Sequence, residues 1–193
     1  MNWSGVLIIC CLLLFLSSSF HGVSACKDII ACGEATEGDF NLMLKIRDPS
    51  RPGFQVLTMV PKGYSYEYHH PWTGQTLNYQ FHHSMIGVAT LGDTIPEIVK
   101  AGMCVTSAGL CFGDADTITK WRNPSRFAWD DFDWIRYAAQ TATNEDHAVD
   151  LLTKDVVDQL HAPGVPENLF VIGPTKGYVV EADVIHYDVS EVI

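Results

Sequence analysis

Apolar and polar residues alternate with period two along much of the first half of this chain, the spacing of strands that bury one face. Residues 27–34 read as a first strand. In residues 41–47, Leu42, Leu44 and Ile46 alternate with Asn41, Met43, Lys45 and Arg47, which predicts a second. Pro49, Pro52 and Gly53 break it, and a third run, 54–60, stops at Pro61-Lys62-Gly63. Short turns between these runs predict an antiparallel meander. Residues 64–83 alternate Tyr64, Tyr66 and Tyr68, turn at 71–74, and continue to Tyr79 and Phe81. This stretch is either a well-packed surface hairpin or an aromatic wall of a binding site. Residues 85–91 predict a strand, 95–101 a short helix with Pro96 at its first position, and 103–112 a strand region around Gly109.

The period then changes to that of a helix. Phe132, Ile135, Ala138 and Ala139 share a face within 129–142. Thr143 opens a second helix with Asp146 in a capping-box position, and Ala148, Leu151, Leu152, Val156 and Leu160 form its apolar stripe. Gly164 and Pro166 close it. Strands return at 168–172 and 178–182, joined by a hairpin at 174–177, and another run begins at 183–189. Strands, a helix pair, then strands again predict an α+β layered domain with antiparallel sheets.

Residues 1–25 carry no Asp, Glu, Lys or Arg, and their apolar core runs from Val6 to Leu16. A membrane span needs roughly 20 apolar residues, so this is read as a signal peptide cut after Ala25. One domain, 26–193, remains, and it is expected to be secreted or displayed at the cell surface. The net charge of −11 falls entirely on that domain. It argues against nucleic acid, which needs basic stripes, and suits solubility outside the cell. Membrane contact is expected only through the leader or a lipid anchor.

Cleavage after Ala25 makes Cys26 the first residue, placing a thiol nucleophile and an α-amine base on one amino acid. Val23-Ser24-Ala25-Cys26 equally reads as a lipoprotein box, in which Cys26 is an anchor and its thiol is consumed. Cys32, Cys104 and Cys111 are the other cysteines beyond the leader. Cys104 and Cys111 either pair or serve as small core residues. The histidine pairs 69/70 and 82/83 point to opposite strand faces, which disfavours a shared metal. Asp114 and Asp116 read as a loop carboxylate pair, and Asp130, Asp131 and Asp133 as a helix N-terminal feature. No cofactor and no metal are expected.

Cys26-x(6)-Gly33-x-Ala35-Thr36-x-Gly38, then Lys45-Ile46-Arg47-Asp48, then Gly102-Met103-Cys104-Val105-Thr106-Ser107-Ala108-Gly109-Leu110 resemble the linear amide C–N hydrolases. These are N-terminal nucleophile (Ntn) cysteine enzymes that include choloylglycine hydrolase, penicillin V acylase, isopenicillin acyltransferase and dipeptidase A. The resemblance implies an αββα sandwich and a hydrolase that cleaves a small-molecule, non-peptide or dipeptide-like amide through a Cys26 thioester. It implies that Lys45 matches the family's Arg, with Arg47 as the alternative cation, and that Asp48 holds the α-amine. Thr106 falls where the family has an oxyanion-binding Asn. Tyr66, Tyr68 and Trp72 are expected to line an acyl pocket, and a homo-oligomer is compatible with this reading. Lys45 for Arg loses a bidentate fork, Thr106 for Asn loses an amide donor, and the family's later strands and later site residues have no counterpart before Ile193. The alternatives are a lipid-anchored surface binding module and an inactive, truncated family member.

Overall fold

The computed structural model describes residues 26–38, 40–46, 54–69, 74–90, 101–117 and 127–192. Two strands, β1 (Lys27–Ala31) and β2 (Leu42–Ile46), pair antiparallel as their own two-stranded sheet. A 3₁₀ turn, Gly33–Ala35, follows β1, and Gly33 adopts φ 55°, a left-handed backbone that costs glycine nothing.

The body is a seven-stranded antiparallel sheet in the order β11-β10-β9-β8-β7-β6-β3. Its members are β3 (Gln55–Val60), β6 (Met85–Thr90), β7 (Met103–Thr106), β8 (Cys111–Asp116), β9 (Glu167–Ile172), β10 (Gly177–Ala182) and β11 (Tyr187–Val192). A separate hairpin is formed by β4 (Ser65–His69) and β5 (Thr76–Gln80).

The predicted meander is corrected here: β3 pairs with β6, not with β2. Alternation specifies a half-buried strand but not its partner, and the partner of β3 follows from where β6 returns. The single strand region 103–112 is two strands. Between them Thr106 N–H donates to the Leu110 carbonyl, and Gly109 sits at φ 82°. Asp114 consequently lies in β8 and not in a loop. The helix expected at 95–101 falls outside the described residues.

One face of the large sheet carries the helices. In α1 (Asp131–Thr141), Asp130 is the N-cap, accepting from Asp133 N–H at 3.0 Å. The second helix starts one residue later than predicted. Asn144, not Thr143, caps α2 (Glu145–Asp150) by accepting from His147 N–H, and Asp146 instead pairs with Lys176. The helix continues through Leu151–Gln159 with π-type bonding. Trp134, Ile135, Leu152 and Val156 are fully enclosed against Phe112, Leu169, Val171 and Val180. Each such side chain contributes about 1.5–3 kcal/mol by leaving water, so this is the main core.

Among the described residues the opposite face is only partly covered. The β1–β2 hairpin stacks on the β8–β10 half, where Gly113 and Gly177 let it approach closely. On the β3–β6–β7 half, Leu57, Met59, Ile86 and Val105 are exposed, Leu57 by 77%. The outer face of the hairpin is apolar as well, with Ile29, Leu42, Leu44 and Ile46 exposed.

Candidate active site

Cys26 stands immediately before β1. Side chains alternate along a strand, so Cys26 shares the inner face of the hairpin with Asp28 and Ile30. Across the ladder Asp28 is partnered by Lys45. The last described pair is Lys27–Ile46, and Cys26 immediately precedes Lys27 in the chain.

Below this face lies Gly113 of β8. A side chain there would strike Met43 Cε and come within 2.9 Å of Asp28 Oδ1. The bare glycine is therefore what admits Asp28, Met43 and Lys45 to the interlayer space. The side chains of Asp28 and Lys45 are fully enclosed. Lys45 Nζ donates to the Asp114 carbonyl, lies 3.0 Å from Asp114 Oδ1, and is 3.7 Å from Asp28 Oδ2. Burial pushes the Asp28 carboxyl up to about 6, against the pull of Lys45 and helped by the charge of Asp114. Farther from the hairpin, burial and the neighbouring carboxylates Asp114, Asp130 and Glu167 hold Asp131 well above the ordinary range. One lysine thus serves a row of buried acids, and its shortest contacts are with Asp114.

No disulfide joins Cys26, Cys32, Cys104 or Cys111. Cys104 and Cys111 lie on neighbouring strands, but Cys104 partners Phe112 and Cys111 partners Val105, so their side chains leave opposite faces. Burial pushes the thiols of Cys32, Cys104 and Cys111 upward, away from thiolate.

The other predicted residues divide sharply. Lys45 is at the site, but its ammonium is held by Asp114 and Asp28 and is not free for a substrate carboxylate. Arg47, Asp48 and Trp72 lie outside the described residues. Thr106 is buried on the helix-facing side of β7, sharing that face with Cys104. It is three residues beyond Met103, the strand partner of Gly113. The structure therefore does not bring the Thr106 hydroxyl to Cys26. Tyr66 and Tyr68 surround a buried cation instead of a pocket. The Arg136 guanidinium of α1 lies 5.9 Å from the Tyr66 ring, 4.9 Å from Tyr68 and 4.5 Å from Tyr79, and it is paired with Asp133. The alternating tyrosines are a packing device for Arg136, which a sequence scan of aromatic residues does not reveal.

Asp28 and Asp114 were missed as site residues. The available signal was Asp28 two positions after Cys26, which on any strand puts both on one face. Among the described residues no group of three His, Cys, Asp or Glu side chains is arranged to hold a metal ion.

No protein-family model matches this sequence, and no curated protein does. Solved structures do match. Penicillin V acylase from Agrobacterium tumefaciens superposes with a TM-score of 0.52 at 12% identity, covering 86% of this chain and 49% of that one. A mutant of conjugated bile acid hydrolase from Clostridium perfringens gives 0.52 at 10% identity, covering 86% and 50%. The fold is that of the Ntn hydrolases. This chain spans about half the length of the solved hydrolases it is similar to. Within the Ntn-hydrolase fold described here, Cys26 stands at the head of the hairpin stacked on the large sheet.

Proposed function

We propose that this chain is an exported cysteine Ntn hydrolase acting on the C–N bond of a small linear amide. The observation that supports it most is the placement of Cys26. It immediately precedes β1 of the stacked hairpin in an Ntn-hydrolase fold, two positions before Asp28, whose side chain is enclosed with Lys45.

Removal of residues 1–25 frees the Cys26 α-amine, which accepts the thiol proton. The sulfur adds to the amide carbonyl, and the tetrahedral oxyanion is met by a backbone N–H, since the Thr106 hydroxyl faces the helices. Collapse breaks the C–N bond, the leaving amine departs with the proton, and the acyl group remains on sulfur as a thioester. Water then hydrolyses the thioester and restores the thiol. With Lys45 engaged by Asp114, Arg47 becomes the cation that meets the substrate, and Asp48 the partner of the α-amine.

The test combines intact mass, N-terminal sequencing and turnover of penicillin V and conjugated bile acids, the amides named by the similar structures. A free Cys26 amine and at least a ~1,000-fold loss of turnover in Cys26→Ala are expected. An acyl-chain mass on Cys26, as in the lipoprotein reading of Val23-Ser24-Ala25-Cys26, or full activity in Cys26→Ala, overturns the proposal.

A further inference from the structure

The large sheet and the hairpin each present an exposed apolar face that the mechanism above does not use. In the register of the sheet, Met59 of β3 stands opposite Ile86 of β6, and Ile86 opposite Val105 of β7, so three exposed apolar side chains form one row across the bare half. Leu57 lies two positions from Met59 on the same face. On the hairpin, Ile29 stands opposite Leu44, with Leu42 and Ile46 to either side. Among the described residues, no acid occupies an outward position of β1, β2, β3, β6 or β7, although the chain has 23 Asp and Glu. Both faces look the same way. The hairpin lies on the β8–β10 half and turns its outer side away from the large sheet, the direction in which the bare half also faces. Neither can therefore fold onto the other within one copy. Together they form a step one sheet spacing high, about 10 Å.

We infer that this stepped face binds a second copy of the chain about a twofold axis, each copy's hairpin filling the other's bare half. A step whose two treads have like chemistry is complementary to itself once turned by half a revolution, which is the condition for an isologous contact. A flat partner, such as a lipid surface, meets the raised tread alone and leaves the lower one empty. The treads span five strands about 4.8 Å apart and about 17 Å long, and with the wall of the step they offer on the order of 600 Å² per copy, the lower end of specific interfaces. An apolar contact of that size suits dimerisation at about micromolar concentration, below which the face is open to water. Neither tread includes a residue given a role in the reaction, so the contact stands apart from the hydrolase proposal.

The experiment is sedimentation velocity of the full chain from about 0.5 to about 100 µM, which brackets an interface of this size. The wild type is expected to show a monomer–dimer equilibrium. Leu57→Glu with Met59→Glu places acids on the lower tread, and Ile29→Lys with Leu44→Lys places bases on the raised one. Each pair alone is expected to weaken association by at least about a hundredfold, because the charges it buries have no partner. Mixed one to one, the two variants are expected to recover a dimer. In that dimer one contact joins the introduced acids to the introduced bases, and the other joins two unaltered treads. The substituted positions are exposed, and native circular dichroism is required of each variant. Should one variant lose it, the weakening in the other decides. A monomeric wild type, association that neither variant weakens, open-ended oligomers in place of a dimer, or a mixture that stays monomeric overturns the inference. So does a monomeric wild type that floats with phosphatidylcholine vesicles, which makes a lipid surface the occupant.

Discussion

Glu145 shows how a single carboxylate fastens two elements of this protein. It opens α2, and its Oε1 accepts from Thr175 N–H at 2.8 Å, from Thr175 Oγ1 at 2.9 Å and from Lys176 N–H at 3.3 Å. It thereby ties the helix to the β9–β10 turn, packed against Gly173, where any Cβ would come within 2.5 Å of its carboxyl carbon. Burial works to raise its titration, but the donated hydrogen bonds win and hold it below the ordinary range. A depressed acid contributes stability that is present above the unfolded value, about 4.3, and is lost as pH falls through the lower folded value. Glu145→Gln is expected to cost about 1–2 kcal/mol in urea unfolding at pH 7, with the difference shrinking toward pH 3.5. A constant difference across that range would show that charge plays no part. Residue-scale chemistry was legible only where local spacing carries it. Asp130 is marked by its position before a helical period, and it caps α1. Asp114 and Glu145 were not legible, because their partners lie 69 and 30 positions away.

The β4–β5 hairpin was legible as an element, since its tyrosines alternate, but its purpose was not. Alternation says that Tyr66 and Tyr68 share a face. It does not say that the face receives Arg136, which arrives on α1 from far along the chain. Tyr66 and Tyr79 stack at 5.0 Å, and the enclosed guanidinium sits against both. Removing one member of a buried ion pair costs about 3–5 kcal/mol because the other is left uncompensated, while replacing both with neutral groups costs far less. Arg136→Met is therefore expected to lose about that much stability, and Arg136→Met with Asp133→Asn to regain most of it, by thermal and urea unfolding. Equal losses in the single and double variants would assign the effect to lost packing against the tyrosines. The same limit explains β3. Its pattern gave the strand within a residue, while its pairing with β6 depends on the 24 intervening residues, two of whose strands make a sheet of their own.

At the scale of the whole molecule, the described residues give the large sheet one face filled by helices and one face half filled by the hairpin. The bare half and the hairpin's outer face together expose Leu57, Met59, Ile86, Val105, Ile29, Leu42, Leu44 and Ile46. Contiguous apolar surface beyond a few hundred Å² drives association. The purified full chain is expected to bind a hydrophobic dye such as anilinonaphthalene sulfonate and to self-associate in sedimentation. Leu57→Glu with Met59→Glu is expected to cut dye binding by about half or more without changing the far-ultraviolet circular dichroism. Absence of dye binding in the wild type would show that this surface is covered in solution. The α+β layered class was legible from the order of periodicities and the resemblance, whereas the half of the sheet on which the hairpin stacks was not, because that is decided by glycines such as Gly113 that leave no pattern of their own.

That glycine also fixes the order in which the two layers can be completed. The β1–β2 hairpin closes over a short loop, but the niche that encloses Asp28 and Lys45 is completed by β8, and the Lys45–Asp114 contact spans 69 positions. Local pairing is quick and distant pairing slow. A chain growing from its N-terminus at about 5–20 residues per second therefore carries Cys26 for several seconds before Gly113 and Asp114 exist. During that interval Asp28 and Lys45 stand in water. Their enclosure is completed by the middle of the chain, well after the hairpin that carries them has been made.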